Sequence, residues 1–79
     1  MDFCYALNAL KEGKKVCRSG WNGKGMWLIL IDGYDTELPK DATQYVMSAF
    51  VAMKTVDDKL VPWLCSQTDL LAEDWTTIE

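Results

Sequence analysis

The stretch "RSGWNGKGMW" at residues 18–27 gathers three glycines, two tryptophans, an asparagine and two cations into ten positions. These are the residue types that a site for a flat, anionic ligand uses. An indole such as Trp21 supplies a π face, and base–aromatic stacking is worth about 1–3 kcal/mol per base. Arg18 offers a planar fork to a phosphate and Lys24 a mobile point charge. Gly20, Gly23 and Gly25 let backbone N–H groups approach an anion where a side chain would obstruct them. Each choice has a structural alternative. Trp21 either folds back onto the body of the protein or a neighbouring subunit, or it waits for a ligand. The Asn22–Gly23 pair is the favoured type I′ hairpin signal in its own right. Arg18 can make an ordinary ion pair with one of the eleven acids outside its own segment.

A second cluster, "PWLCSQTD" at residues 62–69, places Trp63 after a proline and Ser66, Gln67 and Thr68 at the start of a helix. Free N–H groups at a helix start favour anions. Asp69 works against a phosphate there, since a carboxylate repels it from the same end. It suits a ribose hydroxyl, or simple helix capping. Trp27, within a continuous apolar run, reads as core, and Trp75 as the anchor of a terminal strand.

Other chemistries are poorly served. The chain has no histidine, and its three cysteines, Cys4, Cys17 and Cys65, are widely and irregularly spaced. Zinc sites use thiolates or imidazoles in close pairs, and neither CxxC nor HxxxH occurs. Ser–His and Cys–His catalysis is removed by the same absence. The thiols read as reduced and half-buried, with no disulfide frame. Asp69 and Asp74 form a lone carboxylate pair, a thin basis for acid–base catalysis. No metal and no cofactor are expected.

The elements that must position these residues follow from pattern. Asp2 is a plausible N-cap for "FCYALNALKEG", where Phe3, Ala6, Leu7 and Leu10 recur at helical spacing and Gly13 marks the stop. "KVCRS" at 15–19 and "MWLILID" at 26–32 read as strands joined by "GWNGKG", which puts Trp21 at a hairpin tip. Residues 33–48 are acidic and interrupted by Pro39, a long connection with one helical turn around "DATQYVM". "AFVAMKT" and "LVPWLCS" form a second hairpin around "VDDK", with Pro62 confining its strand to an edge. Ser66 followed by Asp69 resembles a capping box for a short helix over 68–73, and "WTTIE" alternates as a terminal strand. The expected fold class is α+β: one domain over residues 1–79, a small antiparallel sheet of two hairpins with an N-terminal amphipathic helix and a short C-terminal helix.

Composition adds an expectation about assembly. The 79-residue chain is 49% hydrophobic and holds four tryptophans, more apolar material than one small core easily hides. Self-association is expected. No apolar run is long enough to cross a membrane, and "MDFCYALNAL" lacks the features of a signal peptide, so the chain is expected in the cytoplasm of the cell that makes it. The net charge of −4 argues against a nucleic-acid polymer as partner. That average hides an asymmetry: residues 11–24 carry five cations against Glu12 alone, a net of +4, leaving −8 on the rest. The segment is either part of a mixed solvated surface or a rim facing a small anion.

The blocks "ALNALKEGKKVCRSGWNGKGMWL", "AFVAMKT" and "LVPWLCSQTDLLAEDW" together resemble the Thoeris anti-defence family, second type, over nearly the whole chain except residues 32–48. The resemblance implies a small phage or prophage protein that forms a homotetramer in the bacterial host cytoplasm. It implies a sponge that binds, without cleaving, the cyclic nucleotide signals of bacterial TIR-domain defence enzymes: cyclic ADP-ribose isomers and, at separate sites in some relatives, cyclic dinucleotides. The chain departs from the family pattern at the "VDDK" turn, where relatives commonly carry glycine, and at Cys65. Two other classes stand beside the sponge: a protein-directed inhibitor or toxin-like interaction module, and a nucleotide-processing enzyme.

Overall fold

The structure is a computed structural model and describes residues 1–21, 25–32 and 38–78. Helix α1 (Phe3–Lys11) starts where Asp2 accepts the Tyr5 N–H at 3.0 Å. It ends where Gly13, at φ +85°, turns the chain so that Gly13 and Lys14 donate to Leu10 and Ala9. The buried stripe is Ala6, Ala9 and Leu10, while Leu7, expected inside, is 37% exposed.

Five strands follow: β1 (Lys15–Arg18), β2 (Trp27–Ile31), β3 (Phe50–Lys54), β4 (Leu60–Pro62) and β5 (Trp75–Ile78). Helix α2 (Gln67–Leu70) lies between the last two. The strands form one antiparallel sheet in the order β4-β3-β2-β1-β5. The α+β expectation holds, with both hairpins and the terminal strand merged into a single sheet. Pro62 sits on the edge strand, where its missing N–H is harmless.

Several boundaries differ from the sequence reading. The strand after the "VDDK" turn is three residues long, and the C-terminal helix is one turn ending at Leu70. The turn in the long connection is a 3₁₀ turn at Lys40–Ala42, earlier than expected. The largest change concerns Trp21. The chain leaves β1 through a 3₁₀ turn, Ser19–Trp21, which carries the indole back toward the core instead of out to a hairpin tip. The expected type I′ pair, Asn22–Gly23, and residues 33–37 lie outside the described residues.

Directly opposed residues of an antiparallel pair share a face. The register therefore sets Val16, Leu28, Met53, Thr77, Arg18 and Trp75 on one side. There α1 packs, and Ala6, Ala9, Leu10, Val16, Leu28 and Trp75 form the core. The other side carries Trp27, Ile29, Ile31 and Phe50, each half-buried. Trp27 thus lies across the sheet from the core it was expected to join, with the Lys15 ammonium 4.6 Å from its ring centroid.

The "VDDK" turn adopts φ +63° at Asp58, a left-handed conformation without glycine's freedom. Asp58 also contacts Lys54 at 2.7 Å, but its side chain is 81% exposed, where an ion pair adds little. Asp58→Gly is expected to stabilise the fold by about 0.5–1 kcal/mol, a rise in melting temperature of roughly 2–6 °C for a chain of this size. Thermal melts of the two proteins check this.

Candidate functional site

Two groups of side chains meet at one end of the core-facing side of the sheet. The first is aromatic. Trp75 is 1% exposed and stands edge-on to three rings: Phe3 at 5.4 Å, Trp21 at 5.5 Å and Trp63 at 6.1 Å between centroids. Its indole N–H donates to the Asp69 carbonyl at 3.0 Å. Phe3, Trp21 and Trp63 are half-buried, so each keeps part of its ring toward solvent. The described residues enclose no pocket at this end.

The second group is ionic. Arg18 Nε donates to Asp74 Oδ1 at 2.8 Å, and Arg18 Nη1 donates to Asp69 Oδ1 at 2.8 Å. Asp74 Oδ2 accepts from the Gly20 N–H at 2.9 Å and from Ser19 Oγ at 3.3 Å. The Arg18 side chain is only 20% exposed. Hydrogen bonds from Arg18, the Gly20 N–H and Ser19 hold the Asp74 carboxyl at about 2, well below the usual carboxylate range. Asp74, then Asp69, stabilise the Arg18 cation in return. One cation between two carboxylates leaves the group a net charge of −1. A carboxyl pinned this low is poorly matched to proton transfer near neutrality.

The structure sorts the expected site residues. Arg18, Trp21, Trp63 and Asp69 come together at this end. Asn22, Gly23 and Lys24 lie outside the described residues. Ser66 is the N-cap of α2, its Oγ accepting the Asp69 N–H at 3.1 Å, and Gln67 and Thr68 are exposed. The capping box is one-sided, because the Asp69 carboxylate turns to Arg18. For Arg18 the ion-pair alternative describes what is found. The cationic segment is not one rim: strand alternation sends Lys15 to the Trp27 side and Arg18 to the core side, and Lys14 pairs with Glu12 at 3.2 Å. Missing from the sequence reading of the site are Phe3 and Ser19; Gly20 enters there as an anion-approaching N–H and Asp74 as half of a carboxylate pair with Asp69, and the structure instead joins the Gly20 N–H and Arg18 to Asp74.

The Asp74 pairing makes stability pH-dependent in a defined direction. Its pKa is lower in the folded than in the unfolded state, so its contribution is complete above an unfolded value of about 4 and is lost as pH falls toward 2. Asp74→Asn should therefore be less stable than the parent at pH 7, with the gap narrowing steadily below about pH 4. Urea unfolding of both proteins between pH 7 and pH 2.5 measures it. A gap independent of pH contradicts the assignment.

Comparison with known proteins assigns the chain to a family. Residues 1–78 match the Thoeris anti-defense 2-like domain. The sequence is 42% identical over 84 residues to Thoeris anti-defense 2 of Bacillus phage SP01, a match spanning 99% of this chain and 94% of the phage protein. A domain match of that extent, with a curated relative of that identity over nearly its whole length, places the chain in the Thoeris anti-defense 2-like family.

Proposed function

We propose that this protein binds and sequesters, without cleaving it, a cyclic nucleotide second messenger of bacterial antiphage defence, of the cyclic ADP-ribose isomer or cyclic dinucleotide class. Family membership supports an anti-defence role. The observation that carries the finer reading is the half-buried Trp21 indole, propped edge-on against Trp75 beside Trp63. A ring already ordered by packing loses little entropy when a base stacks on it. The low pKa of Asp74 and its engagement with Arg18 favour binding over acid–base chemistry.

Incubation with cyclic ADP-ribose isomers made by a TIR-domain enzyme and, separately, with cyclic dinucleotides, followed by denaturation and analysis of the released small molecule, tests the proposal. Intact ligand supports it. Altered ligand points to an enzyme, and no bound ligand points to a protein-directed inhibitor. Trp21→Ala is expected to weaken binding about five- to 150-fold, from a stacking contribution of about 1–3 kcal/mol. Because Trp21 packs on Trp75, the same change also lowers stability. Trp21→Phe keeps a smaller π face and part of the affinity. Calorimetry on both variants, alongside their melting curves, separates the two effects.

The proposed assembly is a homotetramer. Its support is the sheet face bearing Trp27, Ile29, Ile31 and Phe50, opposite the one that α1 covers. Light scattering should return about four times the chain mass, and Ile29→Lys should lower it, since a buried unpaired charge is costly. A parent mass equal to one chain at all concentrations refutes this part.

A further inference from the structure

Trp21 rests on Trp75 through an edge contact, which is modest and weakly directional. A three-residue 3₁₀ turn has little hydrogen bonding of its own. Something else must fix the direction in which the Ser19–Trp21 turn carries the indole. Residue 74 grips that turn twice. Its carbonyl accepts the Ser19 N–H at 3.0 Å, and its carboxylate Oδ2 accepts the Gly20 N–H and the Ser19 hydroxyl. The carboxylate cannot swing away, because Oδ1 is held by Arg18 Nε while Arg18 is held at its far side by Asp69.

We propose that Asp74 is the positioning residue for Trp21: its carboxylate clasps the Ser19–Trp21 turn and so sets the indole in its place against Trp75. This rests on the reading of Trp21 as the base-stacking surface. Gly20 belongs to the same device. A Cβ at that position would lie 3.1 Å from Asp74 Oδ2, tight enough that the carboxylate must shift by a few tenths of an ångström. Glycine is favoured there by the approach of the carboxylate rather than by a positive φ. Asparagine cannot replace Asp74, since either orientation of its amide sets an NH₂ against a donor, the Arg18 Nε–H or the Gly20 N–H. A turn released from Asp74 presents its indole only part of the time, and the apparent dissociation constant rises by the inverse of the docked fraction.

The test is ¹⁹F NMR of 5-fluorotryptophan-labelled protein, with the Trp21 line assigned from Trp21→Phe, beside calorimetry with the cyclic ADP-ribose isomers. The parent should give one Trp21 line. Asp74→Asn should give a second, undocked line, with the Trp75 line retained, and should bind on the order of tenfold more weakly, as expected for losing a charge-assisted hydrogen bond at a partly exposed site. The affinity loss should equal the fall in docked fraction. If Asp74→Asn does not fold, Gly20→Ala carries the same measurement, because it displaces the carboxylate and keeps its charge. A single unchanged Trp21 line in the folded variant overturns the proposal, as does a split line with undiminished affinity. If the parent binds no isomer, the sequestration reading falls, and the ¹⁹F lines alone then decide whether Asp74 holds the turn.

Discussion

The structure depends on burying one indole, that of Trp75, in a chain of only 79 residues. Such a ring removes about 150–250 Å² of surface from water, and its N–H must find an acceptor. Three elements answer that demand. Phe3 brings α1 to the ring, Trp21 brings the turn after β1, and Trp63 brings the segment after β4. The acceptor is the Asp69 carbonyl in α2, so satisfying the indole also places the Asp69 carboxylate beside Arg18. The aromatic and ionic groups are two consequences of one burial.

That economy explains why the candidate site has no separate scaffold. A large domain can devote its interior to stability and its loops to binding. Here the rings that edge the core are the same rings that remain half-open to solvent. The ionic group supplies what aromatic contacts lack, which is direction: two hydrogen bonds at 2.8 Å from a half-buried arginine, and one at 2.9 Å from the Gly20 N–H to Asp74, pin orientations that dispersion alone leaves loose.

Local signals were legible in the sequence. Asp2 and Gly13 bracket α1 as N-cap and C′ residue because capping needs only neighbours in the chain. Ser66 capping α2 and the strand character of "WTTI" are local in the same sense. Of the two readings of Trp21, an exposed hairpin tip and a fold-back onto the body, the structure shows the second, and the glycines around it do not choose between them. What decides between them is the carboxylate of Asp74, 54 residues away from Gly20. The Arg18 contacts with Asp69 and Asp74 span 51 and 56 residues and exist only once β5 pairs with β1. Leu7 and Ala9 exchanged expected places because helical spacing gives a broad apolar arc and the sheet selects within it.

Strand β2 raises the converse question of what fixes register when pattern is silent. "WLILI" is apolar at every position, so a one-residue slip would exchange two hydrophobic faces at little cost from patterning. The neighbours break the degeneracy. Val16 opposite Leu28 faces α1, whereas Lys54 opposite Trp27 must stay on the far side, where its ammonium reaches the Gly25 carbonyl at 2.9 Å and Asp58. A slipped β2 would carry Trp27 under α1 and draw the Gly25 carbonyl away from the Lys54 ammonium. A strand apolar on both faces is the pattern of a sheet covered on both sides. Helix α1 supplies one cover from within the chain, and the proposed assembly with further copies supplies the other.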